Sequence, residues 1–202
     1  MNARAWQEPQ ILIVPGLKDS GPNHWQTLWH QRNPDFDRLL QRNWTDPDID
    51  AWTDAIVERV RLSRRDVILV AHSFGCLASV RAARLLGARV RGALLVAPAD
   101  PRHFRLSKRI PRSRLGFPSI VVASRNDPWI PLGAARLWAE RWGSRFVDIG
   151  DAGHINVDAG FGDWPFGERL LHSLARRHVP LSKAASQPAW IPAHPQRFAF
   201  AI

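Results

Sequence analysis

Val67-Ile-Leu-Val-Ala-His-Ser-Phe-Gly-Cys76 decides the reading of this chain. Aliphatic residues fill positions 67–71 without a break, as in a strand buried on both faces. A helix-like stretch follows at once and runs to Leu86. A strand that turns directly into a helix around a Ser is the setting of a nucleophile elbow, which lifts the hydroxyl to the end of a sheet. Such a turn is crowded, so the residues two before and two after the Ser must be small. Ala71 and Gly75 are small, which makes Ser73 the candidate nucleophile.

A Ser hydroxyl needs a base, and the base needs an orienting acid. Ile120-Val-Val-Ala-Ser-Arg-Asn-Asp127 reads as a buried strand with Asp127 just beyond its end. Phe146-Val-Asp-Ile-Gly-Asp-Ala-Gly-His154 reads as another strand, then a Gly-containing loop that carries His154. Asp127 is expected to be the acid and His154 the base, with Asp151 the competitor for the acid. The remaining His residues have blander settings. His30, His172 and His178 fall in helical stretches with charged neighbours, His103 in a basic segment, and His194 near the end of the chain. His72 is expected to pack rather than react.

Strand and helix patterns alternate on both sides of this unit. Strands are expected at 10–14, 39–44, 66–71, 90–97, 119–124 and 145–149. Helices are expected at 22–31, 48–62, 73–86, 132–142 and 166–177. This alternation implies an α/β fold of three layers, with a mainly parallel six-stranded sheet between helices. Right-handed crossovers put the strand C-termini on one edge, where ligands bind. Ser73, Asp127, His154 and the loop after Val14 all follow strand ends, so the topology predicts their convergence. The interval 100–118 is short, irregular and basic, and it lacks the apolar periodicity of lid helices. An open site with no lid domain is therefore expected. Residues 1–179 read as the domain, and the Pro/Ala-rich 180–202 as a flexible or surface-bound tail.

Composition bounds the class. The chain has 202 residues, 45% of them hydrophobic and 23% charged, as in a globular protein with a real core. Its apolar runs are too short to span a bilayer, and residues 1–9 do not resemble a signal peptide. The one cysteine, Cys76, forbids an internal disulfide and agrees with the cytoplasm as location. It reads as a small buried hydrophobe. The formal net charge is +10. The run from Arg102 to Arg114 holds no acid, and reads either as a solvated surface or as a wall that steers anionic substrates. No nucleic-acid motif accompanies it, so no nucleic-acid partner is expected. Ten Trp and no Tyr are present. Most of the Trp residues lie on or beside helices and read as core; Trp129, after Asp127-Pro128, reads as a wall of the site.

Several short pieces together resemble a known family: Pro15-Gly16, His24-Trp25, Trp44 with Pro47 and Trp52, Ala71-His-Ser-Phe-Gly75, Phe117-Pro118-Ser119, Ser124-Arg-Asn-Asp-Pro128, Gly153-His154-Ile155-Asn156 and Trp164-Pro165. In combination they are similar to the small α/β-hydrolases, specifically the bacterial serine hydrolase family related to retinoblastoma-binding protein nine. The resemblance covers roughly residues 10–175. It implies a compact α/β-hydrolase without a lid and a triad of Ser73, Asp127 and His154. Ala71 stands where such proteins usually carry Gly.

The expected activity is hydrolysis of small carboxylic esters through an acyl-enzyme. The alternative is a binding or interaction module on a hydrolase fold with an idle triad. The amide of Phe74 and that of Leu17, or Lys18 in its place, are the expected oxyanion donors. His24 and Trp129 are pocket candidates. The only partner implied is a small acyl substrate, and the sequence does not give the oligomeric state. Neither a metal-ligand spacing nor a dinucleotide or P-loop pattern is present, so no cofactor is expected.

Overall fold

The computed structural model describes residues 8–176. Six parallel strands form one sheet in the order β2-β1-β3-β4-β5-β6. They are β1 (Gln10–Val14), β2 (Asp37–Arg38), β3 (Val67–His72), β4 (Val90–Val96), β5 (Ser119–Ala123) and β6 (Arg145–Asp148). The helices are α1 (Trp25–Arg32), α2 (Ile49–Leu62), α3 (Phe74–Leu86), α4 (Leu132–Trp142) and α5 (Pro165–Arg176). Between β4 and β5 the chain makes turns and bends with neither helix nor strand, so among the described residues this interval builds no helical lid over the sheet edge.

Alternation along β3 divides the core. Leu69 and Ala71 face Trp52 and Ile56 of α2, Leu77 and Val80 of α3, and Trp138 and Trp142 of α4. Ile68 and Val70 face Trp25 and Trp29 of α1 and Leu170, Leu171 and Leu174 of α5. The all-aliphatic run is thus a period-2 strand buried on both faces, and the fold has three layers. The tryptophans at 25, 29, 52, 138, 142 and 164 are all buried in these two halves.

Local chemistry sets the element ends. Asp48 caps α2 by accepting hydrogen bonds from the amides of Asp50 (2.9 Å) and Ala51 (3.3 Å). Pro47 precedes it, as the sequence suggested. Gly143 ends α4 in the left-handed conformation at φ 68°.

Two expectations need correction. The second strand lies at Asp37–Arg38 rather than 39–44. Leu39 extends the pairing by one bond to Ile13 O (2.9 Å), but Leu40 is 80% exposed and the chain turns away. Trp44 instead offers its carbonyl to the Lys18 amide at 2.8 Å. Helix α1 begins at Trp25 rather than Pro22, because His24 is its cap and accepts the Gln26 amide on Nδ1. The proposed tail, together with His178 and His194, lies outside the described residues.

Candidate active site

Ser73 stands between β3 and α3 with φ 54° and ψ −125°, a conformation that L residues rarely adopt. Its neighbours fix it there. The Ser73 amide donates to Val96 O (3.0 Å), and the Ser73 carbonyl accepts from Cys76 (3.0 Å) and Ala99 (3.2 Å). A Cβ on Gly75 would stand 2.2 Å from Pro15 O and 2.8 Å from Val14 O. Only Gly lets the start of α3 pass this close to the end of β1. Gly16 meets the same turn from the other side, since a Cβ there would lie 2.8 Å from the Ser73 Cβ.

The sheet brings the three expected residues together. His154 Nε2 lies 2.9 Å from Ser73 Oγ. Its Nδ1 lies 3.0 Å from each carboxylate oxygen of Asp127. The Asp127 side chain is fully buried, and its Oδ1 also accepts the Trp129 amide at 2.8 Å. An imidazole whose Nδ1–H is held by a carboxylate presents Nε2 as an acceptor, and such a ring can take the hydroxyl proton. Asp151 is exposed and makes no such contact. Asp148 faces Arg125 at 3.0 Å, and the Gly150 amide followed by Arg125 holds its carboxyl below the usual range.

A second circle of contacts holds the His154 loop. Ser124 Oγ accepts the Ala152 amide (2.9 Å), while Asn126 Oδ1 accepts the Gly153 amide (2.7 Å) and the Ser124 hydroxyl (2.8 Å). Trp25 Nε1 donates to Ile155 O at 3.0 Å. His72 Nε2 meets His154 O at 2.9 Å, and the two rings lie 4.8 Å apart. Burial, then the neighbouring His154 and His24, keeps His72 well below the usual histidine range. The ring is therefore neutral, with its proton on Nε2. His72 does pack, as expected, but it also holds the His154 backbone. Gln26 was not visible from sequence; its amide ties Val14 O (3.1 Å) to Val70 O (3.0 Å) at the ends of β1 and β3.

The other candidates fall nearby with different standing. The Lys18 amide is engaged by Trp44 O, whereas no backbone acceptor takes that of Leu17 among the described residues. Phe74 is the first residue of α3, where amides have no helical acceptor. His24 does not reach the triad: its ring meets that of His72 edge-to-face at 4.9 Å, one ring removed from His154. Burial, with Arg38 and His154, pushes its pKa down to about 4. Trp129 is half exposed, with its ring 6.2 Å from that of His154. Cys76 is buried on the inner side of α3 with Sγ 3.4 Å from Val96 O, and burial pushes its thiol far up. Among the described residues no group of three or more His, Cys, Asp or Glu could hold a metal ion.

A family model described as "Serine hydrolase" matches residues 11–173. The chain belongs to the serine hydrolase family. Within this family setting, a YdeN-like protein of Pectobacterium atrosepticum is 40% identical in sequence. Its crystal structure superposes with a TM-score of 0.83 over 86% of this chain and 94% of that one. YdeN of Bacillus subtilis is 23% identical over 180 residues, which is 81% of this chain and 95% of the relative. Its structure gives a TM-score of 0.68, covering 82% and 98% of the two chains. A monoacylglycerol lipase of Paleococcus ferrophilus shares the fold at 13% identity and a TM-score of 0.59, over 84% of this chain and 95% of that one. The serine hydrolase sheet described above is thus that of the α/β-hydrolases. No helix among the described residues is long and apolar enough to cross a membrane.

Proposed function

We propose that this serine hydrolase cleaves small carboxylic esters through an acyl-enzyme on Ser73, with His154 as base and Asp127 as the orienting acid. The observation that carries the reading is the unbroken contact from Ser73 Oγ to His154 Nε2 (2.9 Å) and from His154 Nδ1 to Asp127 (3.0 Å). Ser73 Oγ attacks the acyl carbon while its proton passes to Nε2. The oxyanion forms against the amides of Phe74 and Leu17. The C–O bond to the alcohol then breaks, and the alcohol leaves with the proton from Nε2. Water enters next and gives its own proton to Nε2. The second tetrahedral intermediate expels Ser73 Oγ, which recovers that proton, and the acid is released.

The lack of a helical lid between β4 and β5 among the described residues supports small, freely diffusing substrates, with Trp129 at the rim. The single, deeply buried thiol supports a reducing compartment such as the cytoplasm.

A fluorophosphonate probe followed by peptide mapping tests the nucleophile, and acyl esters of graded length test the substrate class. Labelling is expected at Ser73 alone. Ser73→Ala is expected to lower ester hydrolysis by about three or more powers of ten. A chain that is folded but neither labelled nor active would be a binding module, and labelling at another residue would move the nucleophile.

A further inference from the structure

The acid-free run from Arg102 to Arg114 supplies none of the hydrogen bonds that join Ser73, His154 and Asp127. Its two ends behave differently. Arg102 turns back onto the buried Asp100, with Nε and Nη2 at 2.9 and 2.7 Å from Oδ2. Residues 108–113 run beside the C-terminal half of α3, and together they line a shallow cleft of about 820 Å³ that is open to solvent. Five cations line it: Arg81, Arg84, Lys108, Arg109 and Arg112.

The cleft is braced from two sides. Arg81 donates to Asp50 Oδ1 (2.7 Å) and to Arg109 O (3.1 Å), and Arg109 itself bonds the other oxygen of Asp50. From α4, Trp142 Nε1 donates to Pro111 O at 2.9 Å. The segment is therefore pinned to both α2 and α4.

Its charge is not balanced. One carboxylate, Asp50, serves both Arg81 and Arg109. Arg84 donates to Ser113 Oγ (2.6 Å) and Arg112 to Ser107 O (3.3 Å), both uncharged acceptors. Among the described residues no ion pair involves Arg84, Lys108 or Arg112. Beside these cations Leu85 is 64% exposed, and with Pro111 it gives the cleft an apolar border.

We propose that this cleft is a second binding site, for a small molecule that carries a di- or triphosphate group. Guanidinium forks match phosphate oxygens in geometry, and several cations on one preformed wall need a multiply charged anion to engage them together. A single carboxylate is too small and too weakly charged for that. Leu85 and Pro111 would take the uncharged part of the ligand. Arg84 lies eleven residues along the chain from Ser73. At about 1.5 Å per helical residue the two sites stand roughly 16 Å apart along α3. Ligand and ester therefore do not compete.

The test is calorimetric titration of the full chain with orthophosphate, pyrophosphate and tripolyphosphate, at about 0.1 M ionic strength where the Debye length is about 10 Å. Affinity is expected to rise along that series. Arg84→Ala/Lys108→Ala/Arg112→Ala is expected to weaken tripolyphosphate binding at least about 10-fold, as loss of charge-assisted bonds requires. The single variant Lys108→Glu should weaken it in the same direction. Arg42→Ala/Arg61→Ala/Arg64→Ala removes equal charge from exposed positions elsewhere and should leave binding unchanged. Ester hydrolysis should stay at the parent level in all of these variants, which reports an intact fold. Equal weakening by the two triple variants would reduce the cleft to general surface charge and overturn the proposal. So would a lack of preference for tripolyphosphate over orthophosphate. Binding to phosphatidylglycerol vesicles that tripolyphosphate does not displace would assign the cations to a membrane surface and equally overturn it.

Discussion

His72 Nε2 lies 2.9 Å from the backbone carbonyl oxygen of His154. The residue before the proposed nucleophile thus holds the loop that carries the proposed base, in a bond between positions 82 residues apart. Because His72 is buried and neutral, the bond has one polarity: the ring donates and the carbonyl accepts.

His72→Ala is expected to lower kcat/KM for an activated ester by about 10- to 100-fold, the kinetic equivalent of one lost buried hydrogen bond. His72→Gln, whose amide can donate in the same direction, should recover part of the loss. Equal losses in the two variants would assign the effect to ring packing instead.

Asp127→Asn should lower kcat by about three to four powers of ten, since an amide favours the wrong imidazole tautomer. Asp151→Asn should change it less than about twofold, as surface substitutions away from special features do. A larger loss in the second variant would reverse the roles of the two carboxylates.

Gly75→Ala should both destabilise the fold and disable the site. The added methyl would meet the carbonyl oxygens of Pro15 and Val14, which belong to backbone and cannot rotate away. Overpacking of this kind costs about 1–3 kcal/mol, or several degrees in Tm for a domain of this size. The same displacement separates Ser73 from the loop of Leu17. An unchanged Tm with full activity would mean that the contact relaxes freely.

Stability should fall as the pH is lowered from about 6.5 to about 4, before most carboxylates titrate. Native His24 stays neutral down to about 4, and burial together with neighbouring imidazoles also keeps His72 neutral. The unfolded chain takes up those protons from about 6.5 downward, so it binds more protons than the native state across this window. Denaturant midpoints measured at intervals across it check the slope, and His24→Gln should flatten it. Equal midpoints at both ends would remove His24 and His72 from the linkage.

Much of the fold was legible because its signals are local. The aliphatic run at 67–71 can only be buried, and the turn at Ser73 needs small residues on either side. Asp48 caps a helix through its own two neighbours. The second strand was misplaced because Leu39, Leu40 and Trp44 look alike in sequence. Only the sheet edge decides that Leu39 pairs while Leu40 faces solvent. The start of α1 was set too early because His24 is an uncommon cap. In the site, Ser73, Asp127 and His154 could be ordered by their positions after strands. The His24–His72–His154 contacts could not, because each ring comes from a different segment and their meeting depends on the β1–β3 register. Gln26 was hidden for the same reason: its partners are backbone atoms of two strands.

Cys76 gives this molecule a sensor of its own opening. It is the only thiol in the chain, it sits one turn past Ser73, and burial keeps it protonated far above neutral pH. A thiol dye thus meets no reactive sulfur while β3, its turn and α3 stay packed. Each excursion that exposes the sulfur leaves a permanent mark, so the rate of dye uptake counts how often the framework beneath the serine comes apart. Serine-directed and thiol-directed reagents applied to one sample would then read the working and the broken molecule in separate channels.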